Sequence, residues 1–248
     1  MRVETGRADG VLERGLQARG TLDRARDITH PEPWRRVRLL IEIGVIFIAT
    51  PLLMRLAIFG WRIPLPMLLQ GILLGVLLYM LWDPTFRLLS ELSSGFSRDT
   101  LVSILGTFAV VGGIITLFVM MQMPGRFMDL PNGHPRLWAM VMVFYPLVSV
   151  IPQELIYRTF FFHRYGPLFG SSRWLAIVVN GVLFGFAHIL FGSYVSMALT
   201  ALLGFLVAWR YDRTRSLWAA WLEHSLYGCL IFSVGLGHYF FTGIASVR

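Results

Sequence analysis

Seven runs of predominantly apolar residues, each close to the length that crosses a bilayer as a helix, restrict the fold of this 248-residue chain more than any other feature. A helix needs roughly 17 to 25 such residues to cross the hydrocarbon layer. The runs fall at 39–59, 65–82, 100–121, 137–162, 174–191, 194–209 and 217–240. Only helices fit, because an open sheet leaves backbone donors and acceptors unpaired in lipid. The expected fold class is therefore all-α: a polytopic transmembrane helical bundle of about seven spans, or eight if the long fourth run divides. Two regions follow: a polar, arginine-rich N-terminal tail at 1–37, expected in the cytosol, and a transmembrane helical domain at 38–248.

The composition supports this division. Hydrophobic residues make up 56% of the chain and charged residues 15%, outside the balance of an ordinary soluble domain. Every basic residue behind the net charge of +8 is arginine, and nine of the 22 lie between Arg2 and Arg38, among six acidic residues. Basic charge directly before a first span is juxtamembrane charge, and nucleic acid is not an expected partner. The single cysteine, Cys229, rules out an internal disulfide framework or a CxxC ligand pair. No compact apolar segment with a small-residue cleavage site leads the chain, so the first span is expected to serve as an uncleaved insertion signal.

Loop charge orients the bundle. With the N-terminus inside, the inner loops carry Arg87, Arg98, Arg164, Arg173, Arg210, Arg213 and Arg215, against Arg62, Arg126 and Arg136 outside. That asymmetry favours the N-inside arrangement. Gly71 with Gly75, and Gly181 with Gly185, are small-residue pairs at a spacing that lets helices approach closely, and packing is their expected role.

Polar residues inside apolar spans carry the functional argument. Placing an ionisable group at mid-bilayer costs about 2.5 to 3.5 kcal/mol on insertion scales, so such a group faces a partner, a cavity or water. In the fourth run, Glu154 precedes Arg158 by one helical turn on the same face, next to Gln153 and after Pro152, which lacks a backbone donor. In the fifth, Asn180, Phe184 and His188 form a stripe at intervals of four. The seventh contains Glu223 and His224, which diverge by about 100 degrees on a helix. His224 is the site candidate because Ser225 and Gly228 give it a small, polar neighbourhood. Two imidazoles and a carboxylate from three helices suit a divalent metal or an activated water, with His188, His224 and Glu154 as the ligand set and zinc as the expected ion. An internal salt bridge for Glu154 and Arg158, and a transport pathway, are the competing readings of the same residues.

The segments Gln153-Glu154-Leu155-Ile156-Tyr157-Arg158, Phe184-Gly185-Phe186-Ala187-His188 and His224-Ser225-Leu226-Tyr227-Gly228 occur in the order and membrane setting of a known pattern. The chain resembles the CAAX-protease and bacteriocin-processing family, which includes the type II prenyl-protein endopeptidases, over roughly 137–240. That family is known by Glu-Glu-x-x-x-Arg, Phe-x-x-x-His and His-x-x-x-Asn. The resemblance implies a metal-dependent intramembrane endopeptidase acting on a membrane-associated protein segment, with Glu154, Arg158, His188 and His224 as the catalytic set. A bacterial cytoplasmic membrane is the expected setting.

Two positions depart from the pattern. Gln153 stands where the family's first glutamate activates water, and an amide is no base. Gly228 stands where an asparagine stabilises the oxyanion. Glu154 is then the expected replacement base, and Tyr227, Asn180 or a backbone N–H the expected replacement donor. The alternative keeps the fold without the chemistry, as a membrane binding or assembly factor.

Overall fold

The computed structural model describes residues 32–86 and 97–240. Every regular element among them is helical. Helix α1 spans Pro33–Trp61, α2 Leu65–Trp82, α3 Arg98–Gln122, α4 Pro135–Phe169, α5 Arg173–Phe191 and α6 Tyr194–Thr214, and all six are long and apolar enough to cross a membrane. Helix α7, Leu217–Val234, has 18 residues but is outside that set, since Glu223, His224 and Ser225 interrupt its apolar run. The chain is an all-α integral membrane protein.

Several ends differ from the hydropathy reading. Residues 1–31 of the expected tail lie outside the described residues. The remainder already belongs to α1, which begins at Pro33, where a proline lacking N–H is tolerated in the first turn. Its polar end is held by Glu42, paired with Arg38 at 3.2 Å and with Arg164 at 2.9 Å. The fourth run does not divide; α4 continues to Phe169 as one long helix. Helix α7 stops at Val234 because Gly235 adopts a φ of 103°, which closes the helix and favours glycine. A single tight turn, Gly237–Phe240, follows.

The core lies where α1, α4, α5 and α6 meet. Phe47, Tyr157, Phe160, Phe161, Tyr165 and Phe184 pack there, buried and largely edge to face. Helices α5 and α6 cross most closely. A Cβ at Gly185 would lie 2.6 Å from that of Ala201, and one at Gly181 would lie 2.8 Å from Cγ of Phe205. The other pair corrects the packing expectation: nothing lies within 4 Å of a Cβ at Gly71 or Gly75. At the far side of the bundle, Arg210 of α6 meets Glu223 of α7 through two 2.9 Å bonds and donates to Ser103 of α3 at 2.9 Å. This buried ion pair ties α3 to the last two helices.

Candidate active site

Helix α4 is wound unevenly, and that unevenness builds the site. Two wide turns, Tyr145–Val150 and Leu155–Phe160, bracket the regular turn Ile151–Glu154. Wide turns of this kind insert an extra residue and shift the helical face, and they concentrate at functional sites. The prolines account for part of the irregularity, because Pro152 cannot donate to the carbonyl of Val148. Gln70 of α2 supplies the missing donor, its Nε2 lying 2.7 Å from that oxygen. Trp221 of α7 donates from Nε1 to the carbonyl of Pro146 at 2.8 Å. In a bilayer such carbonyls must find partners on neighbouring helices.

From this turn Glu154 points into protein. Its side chain is fully buried, with Oε1 accepting from Nδ1 of His224 at 2.7 Å and Oε2 lying 3.3 Å from Nε of Arg158. Arg158 donates from Nη1 to Oδ1 of Asn180 at 2.5 Å, and its guanidinium lies over the Phe184 ring at 4.9 Å. Asn180 Nδ2 in turn donates to the carbonyl of Tyr157 at 2.5 Å. One carboxylate thus joins α4 to α7, and one guanidinium joins α4 to α5. Bringing an Asp or Glu into a bilayer requires such partners.

His224 has a defined tautomer as a consequence. With Nδ1–H directed at the Glu154 carboxylate, Nε2 faces the hydroxyl of Tyr145, 3.1 Å away. His188 is fixed in the complementary sense. It follows the regular part of α5, in the tight turn His188–Phe191, and its Nδ1–H donates to the carbonyl of Phe184 at 2.8 Å. That leaves Nε2 as the acceptor nitrogen. Arg55 of α1 holds the turn from outside, donating to the carbonyl of Ile189 at 2.7 Å. A cation at the C-terminal end of a helix is the favourable placement.

Both histidines line one cavity of about 240 Å³ among the helices, together with Tyr145, Ser149, Gln153 and Thr200. Apart from Thr50 and Tyr157, the rest of the lining, including Met54, Leu69, Ile72, Leu190, Phe191 and Leu203, is apolar. Gln153 occupies the place on this wall that Glu154 was expected to fill. Its Nε2 donates to Oγ of Ser149 at 2.9 Å, leaving the amide oxygen as an acceptor. No aspartate or glutamate lines the cavity among the described residues.

The structure therefore brings His188 and His224 to one chamber and sets Glu154 and Arg158 behind it. The expected metal ligand set is not assembled: Glu154 and His224 turn toward each other, and no group of three His, Cys, Asp or Glu among the described residues is placed to hold a metal ion. Neither replacement side-chain donor faces the chamber. Tyr227 packs on Phe108, with ring centroids 5.3 Å apart, and Asn180 is engaged by Arg158 and Tyr157. Glu223 belongs to Arg210. Sequence reasoning missed Tyr145, Ser149 and Gln70; a glycine one turn after His224 was the only hint that a large side chain enters from elsewhere.

The molecule is a polytopic membrane protein whose spans surround a chamber lined by two imidazoles, two phenols and an amide. Residues 135–230, from α4 into α7, match the family model described as type II CAAX prenyl endopeptidase, Rce1-like. No curated protein and no solved structure matches the chain.

Proposed function

We propose that the protein is an intramembrane endopeptidase that hydrolyses a peptide bond in a membrane-associated protein segment. The observation that carries this reading is the shared chamber: His188, with Nε2 as its acceptor nitrogen, and His224, backed by Glu154, line one apolar-walled cavity. The Rce1-like match over 135–230 supports the reaction class. His188 Nε2 takes a proton from a water that the Gln153 amide oxygen orients, and the water oxygen attacks the carbonyl carbon of the substrate. The same imidazole returns the proton to the departing amine. Glu154 and Arg158 are positioning residues, holding His224 without facing the chamber. No step of this scheme needs a metal ion.

The apolar lining suits a hydrophobic or lipid-modified segment entering between helices. Purified protein in lipid nanodiscs, offered a fluorogenic library of apolar peptides, is expected to cleave a subset. His188→Ala should lose that cleavage while keeping its thermal unfolding profile. Equal cleavage by parent and variant would remove the chamber from the chemistry.

One observation favours a second reading, a binding or assembly factor: the chamber wall carries an amide at Gln153 and no carboxylate among the described residues. Saturable binding of the same peptides with no product from any of them is the outcome that selects it.

A further inference from the structure

Tyr145 and Gly228 share one volume. A Cβ at Gly228 would run into Cε1 and Oη of Tyr145 and would lie 2.6 Å from its Cζ. Nothing but hydrogen fits at position 228 while the phenol stays where it is. The ring is held edge-on by Phe232, with centroids 5.4 Å apart and planes at 68°. Tyr145 opens the first wide turn of α4, and Trp221 fixes the carbonyl of the next residue, Pro146. Neighbouring helices thus present this hydroxyl to Nε2 of His224 at 3.1 Å and to the chamber that His188 and Gln153 line.

The threonine hydroxyls on the chamber wall are committed as donors, Thr50 to the carbonyl of Val45 at 2.9 Å and Thr200 to that of Ser196 at 2.6 Å, while Ser149 accepts from Gln153 and is bonded to neither histidine among the described residues. Tyr157 also lines the chamber, but it is not bonded to either histidine among the described residues. Among the described residues, Tyr145 alone ends a relay that runs from Arg158 through Glu154 and His224.

We propose that Tyr145 is a catalytic residue, the donor that stabilises the oxyanion, and that Gly228 exists to admit it. The proposal rests on the peptidase reading. At rest the phenol hydrogen lies on Nε2 of His224, whose Nδ1–H is held by Glu154. Rotation about the Cζ–Oη bond turns that hydrogen into the chamber, where developing negative charge attracts it. As water oxygen bonds to the carbonyl carbon, the C=O π pair moves onto oxygen and accepts that hydrogen, while the water proton goes to His188. Collapse restores the C=O bond, breaks C–N, and the amine leaves with the proton from His188. A donor aimed where charge develops contributes more to the transition state than to substrate binding.

Tyr145→Phe removes the oxygen and keeps the ring against Gly228. It is expected to fold as the parent does and to lower kcat by about 100- to 1000-fold, the range for deleting one such donor, with KM nearly unchanged. Phosphinate analogues of the library peptides, whose tetrahedral oxygen mimics the oxyanion, should bind the variant correspondingly more weakly, whereas the plain peptides bind both proteins equally. Cleavage by Tyr145→Phe within about threefold of the parent overturns the role of Tyr145 and leaves the peptidase reading standing. A parent that neither cleaves the peptides nor prefers the phosphinates overturns both.

Discussion

Glu154 of α4 and His224 of α7 meet at 2.7 Å with both side chains almost wholly removed from solvent, and this contact is the only bond from the fourth span to the imidazole's Nδ1 among the described residues. It sets which nitrogen of His224 faces Tyr145, so a change at Glu154 is felt in the chamber that Glu154 does not line.

Glu154→Gln leaves the Arg158 guanidinium buried beside a neutral amide. Removing one member of a buried pair costs about 3 to 5 kcal/mol, and loss of the orienting carboxylate is expected to lower kcat about 100-fold or more. Adding Arg158→Met should recover most of the stability and none of the rate. Unfolding free energies in mixed micelles and turnover numbers in nanodiscs separate the two effects; a Glu154→Gln protein as stable as the parent would contradict the ion-pair account.

The glycines of α5 and α2 have the same spacing and opposite surroundings. Gly185→Val must displace Ala201 and the Met197 carbonyl, which would lie 2.6 and 2.7 Å from the new Cβ. Overpacking of this kind costs about 1 to 3 kcal/mol, more where backbone must move. Gly75→Val meets open space and is expected to leave stability within about 0.5 kcal/mol, the usual range for changes away from packed features. Comparable losses from the two substitutions would mean that α2 packs against a surface beyond these helices.

Hydropathy made the spans legible because lipid demands long apolar runs, and charged residues inside those runs stood out for the same reason. The stripe of Asn180, Phe184 and His188 could be read because α5 is regular up to Ala187; Phe184 and His188 lie ring to ring at 4.9 Å. Helix α4 was different. Its two wide turns break the 3.6-residue period, so spacing alone could not say which of Gln153 and Glu154 faces the chamber. Tyr145 was hidden for a related reason: its role depends on an absence at position 228, on another helix, and such a fit exists only in three dimensions.

Gln70 and Pro152 are coupled through the Val148 carbonyl, which the proline cannot bond and the amide does at 2.7 Å. Gln70→Leu should cost about 1 to 2 kcal/mol, in the range of interhelical hydrogen bonds in membranes. In a Pro152→Ala background a helical N–H takes over, and the same substitution should become nearly neutral. A thermodynamic cycle in micelles reads the difference directly, and equal costs in both backgrounds would show that Gln70 acts through some other contact.

Gln153→Glu tests what the chamber lacks. The amide is already on the wall and bonded to Ser149, whose hydroxyl can reverse its role and donate to a carboxylate, so the substitution needs no new space. A positioned general base contributes about 100- to 10,000-fold, and His188 supplies part of that already, so a gain in kcat of about tenfold or more is expected. Because the new carboxylate must be ionised to act, the gain should fade as pH falls through its titration. Rate profiles of parent and variant over the same pH range provide the measurement. A variant with unchanged turnover at every pH would mean that residue 153 does not touch the attacking water, and the proton path through His188 and Gln153 would have to be abandoned.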